Sequence, residues 1–351
     1  MHIIFAARKS VAAKERHLIV KKIGMIGSGS WATALVKILL EQADQMVNWW
    51  VRSEETRRGL AEEGRNTKHL PELRLDASRI NATGDLGEVV KQSDCIFLAI
   101  PSAYIGDTLD MLPREAYKGK RFVSAIKGVL PRRKMPVSMF LEQNLGVSAE
   151  DVCVVSGPSH AEEVAESMPT FLTVASHNEE LTKEVEAMLR CDYIHTTRTR
   201  DIEGVERCGL GKNIYAIAAG MCSGLGYGDN LTAVLTVSAY REMKRMLGLS
   251  SPSESREMDE VCYMGDLMVT CWSRHSRNRR LGELVAQGLS VEEACKELGA
   301  VAEGYYSVKN LHDICQELKV GVPEIAEAVY RVLYEGSNPR KEIEYLVKNV
   351  F

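Results

Sequence analysis

The chain predicts an α/β N-terminal half built on a parallel sheet, followed by an all-helical C-terminal half. Short apolar runs alternate with helical periodicity as far as about residue 203. Beyond that point no run reads as a strand. At 351 residues, and with about 150 residues per domain, the length suits roughly two domains. The expected units are an N-terminal extension (1–22), an α/β unit (23–203) and a helical unit (204–351).

Residues 23–27, IGMIG, form the first strand and pass directly into Gly27-Ser28-Gly29-Ser30-Trp31-Ala32. ATALVKILLEQ follows, with apolar residues at 35, 36, 39 and 40 on helical spacing. MVNWWV, from Met46, completes a βαβ unit. Further strand-like runs are CIFLAI (95–100), RFVSAI (121–126), VCVVS (152–156), FLTVAS (171–176) and YIHTT (193–197). Strands alternating with helices imply a parallel sheet covered on both faces. In the second half, helical periodicity marks Val205–Met221, Leu231–Leu247, Glu260–Trp272, Val291–Leu298, Ser307–Leu318, Glu324–Tyr334 and Lys341–Lys348. Ser290 with Glu293 spells a capping box, and Pro323 and Pro339 sit where first turns begin.

Lys and Arg number 44 against 48 Asp and Glu. So even a balance gives no general reason to bind nucleic acid or an anionic membrane. The most apolar stretch, Ile214 to Gly226, is broken by glycines and too short to insert across a bilayer. Nine cysteines lie far apart without a CxxC or Cys/His cluster, so they read as small buried hydrophobes, with no metal site and a reducing cytoplasm. The basic extension contains only a short apolar run, Ile3 to Ala7, and reads as a frayed segment rather than a secretory signal.

Gly27-x-Gly29-x-x-Ala32 is the Rossmann-like dinucleotide spacing: a tight turn, a close backbone approach to pyrophosphate, and a small residue where helix meets strand. Arg52 at the end of the second strand suits a 2′-phosphate and favours NADPH. The charges at Glu54, Glu55, Arg57 and Arg58 also fit a solvated helix start, so NADH stays open. Lys212-Asn213 heads an apolar helix, GLGKNIYAIAAG; alone, a lysine there reads as a snorkelling surface residue. Asp266 and Thr270 share a helical face ahead of Ser276-Arg277-Asn278, which reads as a solvated helix start or as a phosphate clamp.

From Lys22 onward the chain resembles the bacterial type of NAD(P)-dependent glycerol-3-phosphate dehydrogenase. The resemblance rests on GSGSWATAL, the IKGV at Ile126–Val129, SGPSHAEEVA at Ser156–Ala165 and GLGKNIYAIAAGMCSGLGYGDN at Gly209–Asn230. It continues through GDLMVTCWSRHSRNRRLG at Gly265–Gly282 and VAEGYYSVKNL at Val301–Leu311. Two departures are His160, where the family usually has an aromatic, and His69 before Leu70-Pro71, often an aromatic too.

The resemblance implies reversible reduction of dihydroxyacetone phosphate to sn-glycerol 3-phosphate, feeding glycerophospholipid synthesis. It makes Lys212 the general acid, with Lys127 as a second cation touching substrate and coenzyme, and Asp266, Asn213 and Thr270 as orienting groups. Gly157 and Ser159 would line the substrate, and Ser276, Arg277 and Asn278 would hold its phosphate. Gly27, Gly29, Ser30, Trp31, Arg52, Ala161, Arg277, Val301 and Glu303 would contact the coenzyme. It also implies a homodimer through the helical half. Rival readings are a ketopantoate or 6-phosphogluconate dehydrogenase and a non-catalytic dinucleotide sensor.

Overall fold

The computed structural model describes residues 22–253, 256–299 and 302–351; the extension as far as residue 21, and Val301, lie outside the described residues. The chain enters through β1 (Ile23–Ile26), α1 (Ser30–Leu40) and β2 (Val47–Trp50), then continues through α2 (Glu54–Glu63), β3 (Ile80–Thr83), α3 (Leu86–Gln92) and β4 (Cys95–Leu98). Next come α4 (Ser102–Leu109), β5 (Arg121–Ser124), a small hairpin of β6 (Val129–Leu130) and β7 (Met135–Pro136), and α5 (Val137–Leu145). The half closes with β8 (Val152–Ser156), α6 (Ala161–Ala165), β9 (Thr170–Ala175), α7 (Glu179–Leu189) and β10 (Ile194–Thr199).

Eight of these strands form one sheet in the order β10-β9-β8-β5-β4-β1-β2-β3. Side chains alternate across it: Ile23, Met25, Cys95, Phe97 and Val123 pack on one face, and Ile26, Ile96, Leu98 and Phe122 on the other. Burial on both faces explains why these strands read as continuous apolar runs. Strand order reverses beside β1, whose neighbours are β2 and β4. That reversal opens a crevice at the carboxyl ends of β1 and β4, where α/β proteins hold ligands.

The expected parallel sheet needs one correction. β9 pairs with β8 in antiparallel register, and β10 runs parallel to β9, so these two oppose the other strands. After β8 the chain turns back through Gly157 and the five-residue α6. With no long covering helix to carry it across the sheet, the returning strand pairs antiparallel.

The second half comprises α8 (Ile202–Gly224), α9 (Asp229–Ser250), α10 (Asp266–Trp272), α11 (Arg277–Ala286), α12 (Val291–Glu297), α13 (Glu303–Leu318), α14 (Glu324–Tyr334) and α15 (Pro339–Asn349). The capping box at Ser290 and Glu293 forms as expected. The single helix expected over 260–272 is instead a π-type turn, Val261–Gly265, leading into α10. α8 is the central strut, with every residue from Cys208 to Cys222 buried. A side chain at Gly220 would strike the Arg279 carbonyl, and one at Gly282 the Ile217 carbonyl, so glycine lets α8 and α11 pack backbone against backbone.

Two carboxylates from the helical half cap helices of the sheet half. Glu206 on α8 accepts from the backbone N–H of Ser138 at 3.1 Å and from its hydroxyl, at the start of α5. Glu303 on α13 accepts from the Ser102 N–H at 3.1 Å and its hydroxyl at 2.6 Å, at the start of α4. Each offers carboxyl oxygens to a helix start whose N–H groups are otherwise unpaired. None of the nine cysteines is held in a disulfide, and seven are buried. No described helix is long and apolar enough to cross a membrane.

Candidate active site

The turn after β1 is shaped by the two glycines for different reasons. Gly27 has φ +121°, and a Cβ there would collide with the Ala99 carbonyl at the end of β4. Its own carbonyl accepts from the Trp49 indole at 2.5 Å. A Cβ on Gly29 would meet nothing within 4 Å. Gly29 is the N-cap of α1, and no side chain caps that helix. Asn66 braces the turn, donating to the Ser28 carbonyl at 2.9 Å and to Thr33 Oγ1 at 2.8 Å. The Trp31 indole N–H is buried without a partner.

Free helix N–H groups, open space above Gly29 and an orphaned indole donor are what a dinucleotide's pyrophosphate would fill. The residues present therefore fit a dinucleotide coenzyme. Arg52 lies exposed just beyond β2. Nearby Arg57 is committed to the Val51 and Arg52 carbonyls, at 2.7 and 2.9 Å.

Asp266 is the hub of a second cluster. Lys212 and Asp266 have side chains only 1% exposed and form an ion pair. The same carboxylate oxygen accepts from Ser156 Oγ at 3.2 Å, and the other lies 3.6 Å from Lys127 Nζ. Thr270 Oγ1 donates to the Asp266 carbonyl at 2.5 Å. Lys127 enters on the loop after β5, where Gly128 takes φ +119°. A Cβ on Gly209 would sit 3.3 Å from the Lys127 Cα, so glycine on α8 lets this loop approach. The π-type turn before α10 delivers Asp266 beneath both ammonium groups; such irregular turns recur at functional sites.

Burial lowers Lys127 to about 8. Burial first, then the neighbouring Lys127 cation, holds Lys212 well below an ordinary lysine. Both respond to desolvation of the charged form, which Asp266 opposes as counter-ion. Lys212 is therefore no snorkelling surface residue. Its amine is desolvated and paired with Asp266.

A third set pins α8, α11 and α13 together. Asn278 donates to Asn213 Oδ1 at 2.9 Å and accepts from the Gly304 N–H at 2.8 Å. Ser276 caps α11 by accepting from the Arg279 N–H at 3.2 Å. Arg277, exposed in the first turn, lies within electrostatic reach of both Glu303 on α13 and His69 in the sheet half. Burial still raises Glu303 above the usual carboxylate value.

Gly157 has φ +142°, and a Cβ there would strike the Phe171 carbonyl. Ser159 Oγ donates to the Gly157 carbonyl at 2.9 Å, so its hydroxyl serves its own loop. Ala161 starts α6 and packs into the core beside the turn. Lys127, Lys212, Asp266 and Thr270 thus converge, as do Asn213 and Asn278, while Arg52 stands apart from the cluster. Three contributors escaped the sequence reading: Ser156, Ser102 and Asn66. Ser156 opens the SGPSHA segment, the one sequence signal for it.

The family model for the NAD-dependent glycerol-3-phosphate dehydrogenase N-terminus matches residues 22–182, and that for its C-terminus matches residues 201–344. The chain belongs to this family. The glycerol-3-phosphate dehydrogenase match to the N-terminus holds the glycine turn and Lys127, and the match to the C-terminus holds Lys212, Asp266 and Arg277.

A glycerol-3-phosphate dehydrogenase [NAD(P)+] from Syntrophomonas wolfei is 38% identical over 328 residues, covering 93% of this chain and 94% of that protein. Its Bacillus subtilis counterpart is 35% identical over 329 residues, covering 93% and 94%. The crystal structure of glycerol-3-phosphate dehydrogenase from Coxiella burnetii superposes with TM-score 0.88 at 28% identity, covering 94% of this chain and 99% of that one. A protein described as a ketopantoate reductase from Ralstonia solanacearum reaches TM-score 0.53 at 12% identity, which shows a shared fold alone.

Proposed function

We propose that this chain catalyses the reversible NAD(P)H-dependent reduction of dihydroxyacetone phosphate to sn-glycerol 3-phosphate, with Lys212 as the proton donor. The observation that carries the reading is the buried Lys212–Asp266 pair with Lys127 beside it. Binding a dinucleotide needs no desolvated ammonium; stabilising and protonating a forming alkoxide does.

When bound, the nicotinamide supplies the hydride to the C2 carbonyl. Lys212 meets the negative charge that develops on that oxygen and delivers a proton to it; in the oxidation direction it takes the proton back. Asp266 holds the ammonium in place, assisted by Ser156 and Thr270. Lys127 keeps the Lys212 proton labile and adds positive charge at the developing alkoxide. Arg277, with Ser276, Asn278 and the first N–H groups of α11, would hold the phosphate. Asn213 and the Gly157–Ser159 loop would orient the three carbons, turning remote binding energy into alignment.

Gly27, Gly29, Ser30 and Trp31 would carry the pyrophosphate end of the coenzyme, with Ala161, Val301 and Glu303 enclosing it. Exposed Arg52 favours NADPH through a 2′-phosphate, with NADH the alternative. In this reading residues 23–203 bind coenzyme and 204–351 supply the chemistry, the helical half pairs two copies, and the cytoplasmic enzyme serves glycerophospholipid synthesis. Loss of NADPH absorbance with dihydroxyacetone phosphate, and none with ketopantoate or without substrate, is the expected result. Turnover of ketopantoate alone would overturn the assignment.

A further inference from the structure

His160 interrupts the substrate loop at the point where the chain enters α6, and it differs from the polar groups paired within the cluster. Ser156, Asp266, Thr270, Asn213 and Asn278 all have protein partners. The Nε2 of His160 is buried and has none. The ring packs at a tilt against His275, their centroids 5.7 Å apart, which backs it from the segment preceding Arg277. Burial, then the Lys127, His275 and Lys212 charges, hold the imidazole down at about 4, so it is neutral throughout the neutral range. The Val269 carbonyl favours a proton on the ring. A neutral imidazole keeps one ring nitrogen as an acceptor, and Nε2 is the buried nitrogen without a partner.

A buried acceptor without a donor is costly, and the neighbouring ammonium groups are already held by Asp266. Resting on the proposed triose-phosphate chemistry, we infer that His160 is a specificity-determining residue whose Nε2 accepts a hydrogen bond from the substrate's C1 hydroxyl. Dihydroxyacetone phosphate carries one free hydroxyl, on the carbon opposite its phosphate. If Arg277 takes the phosphate and Lys212 the C2 oxygen, that hydroxyl is the group still lacking a partner. An apolar aromatic ring in this place would fill the same space and leave the hydroxyl unread.

The test compares dihydroxyacetone phosphate with acetol phosphate, the same ketone lacking the C1 hydroxyl, in the intact enzyme and in His160→Phe. The intact enzyme is expected to prefer the hydroxylated substrate in kcat/KM by about tenfold or more, the scale of one buried polar group left unpaired. His160→Phe is expected to retain NADPH binding while that preference falls to about threefold or less. An unchanged preference in His160→Phe would overturn the inference, and so would equal use of both ketones by the unmodified enzyme, a result independent of how the variant folds. Absence of turnover with dihydroxyacetone phosphate would instead overturn the underlying reaction assignment, and this inference with it.

Discussion

Around Gly29 the protein is backbone and open space, whereas around Asp266 it is buried side-chain charge. The turn after β1 has an uncapped helix start and room where a side chain would be. The Asp266 cluster packs one carboxylate against two ammonium groups, with Lys212 removed from solvent. The difference matches the two roles proposed above. A pyrophosphate already carries its charge and is held well by fixed N–H dipoles. A forming alkoxide acquires charge only during reaction, so its stabiliser must be pre-placed and desolvated, at a cost in folding.

Removing the hub charge should break this contrast most severely. Asp266→Asn leaves two cations without their counter-ion, and should lower unfolding free energy by about 3 kcal/mol in denaturant titrations, together with a large loss of kcat. An undiminished denaturation midpoint would mean that the pair contributes no such constraint. Next come the two glycines of one motif. Gly27→Ala should cost about 2 kcal/mol of stability, through its positive φ and the clash with Ala99. Gly29→Ala should stay within about 0.5 kcal/mol of the parent, because nothing in the fold opposes its Cβ. It should nonetheless weaken NADPH by about tenfold, since that Cβ occupies the pyrophosphate's approach. Equal thermal shifts for the two variants would erase the distinction. The smallest effect belongs to Arg52→Ala, which should weaken NADPH about fivefold more than NADH if its guanidinium reads the 2′-phosphate; matched losses in titration would discard that role.

How far these two regions were legible from sequence also differs. The turn could be read almost whole, because its conformation rests on the spacing of Gly27 and Gly29 between an apolar strand and an amphipathic helix. β3 could not, since its INAT is only half-buried and lacks apolar alternation. Nor could the reversal of β9, because periodicity marks a strand without giving its direction. The lysine cluster divided likewise. Lys212 was visible through its apolar flanks, and the burial of α8 on all sides, which decides against snorkelling, is a tertiary fact. Ser156 and Asp266 are 110 residues apart, and Ser102 and Glu303 are 201 apart. Pairings of that range exist only once the helical half has docked against the sheet half.

The most direct measurement is single-turnover reduction of dihydroxyacetone phosphate by Lys212→Ala, with NADPH affinity determined on the same sample. The buried ammonium as proton donor predicts a chemical step slowed by about 10²-fold or more, with NADPH bound as tightly as before. A variant that reduces the ketone at the parental rate would contradict it.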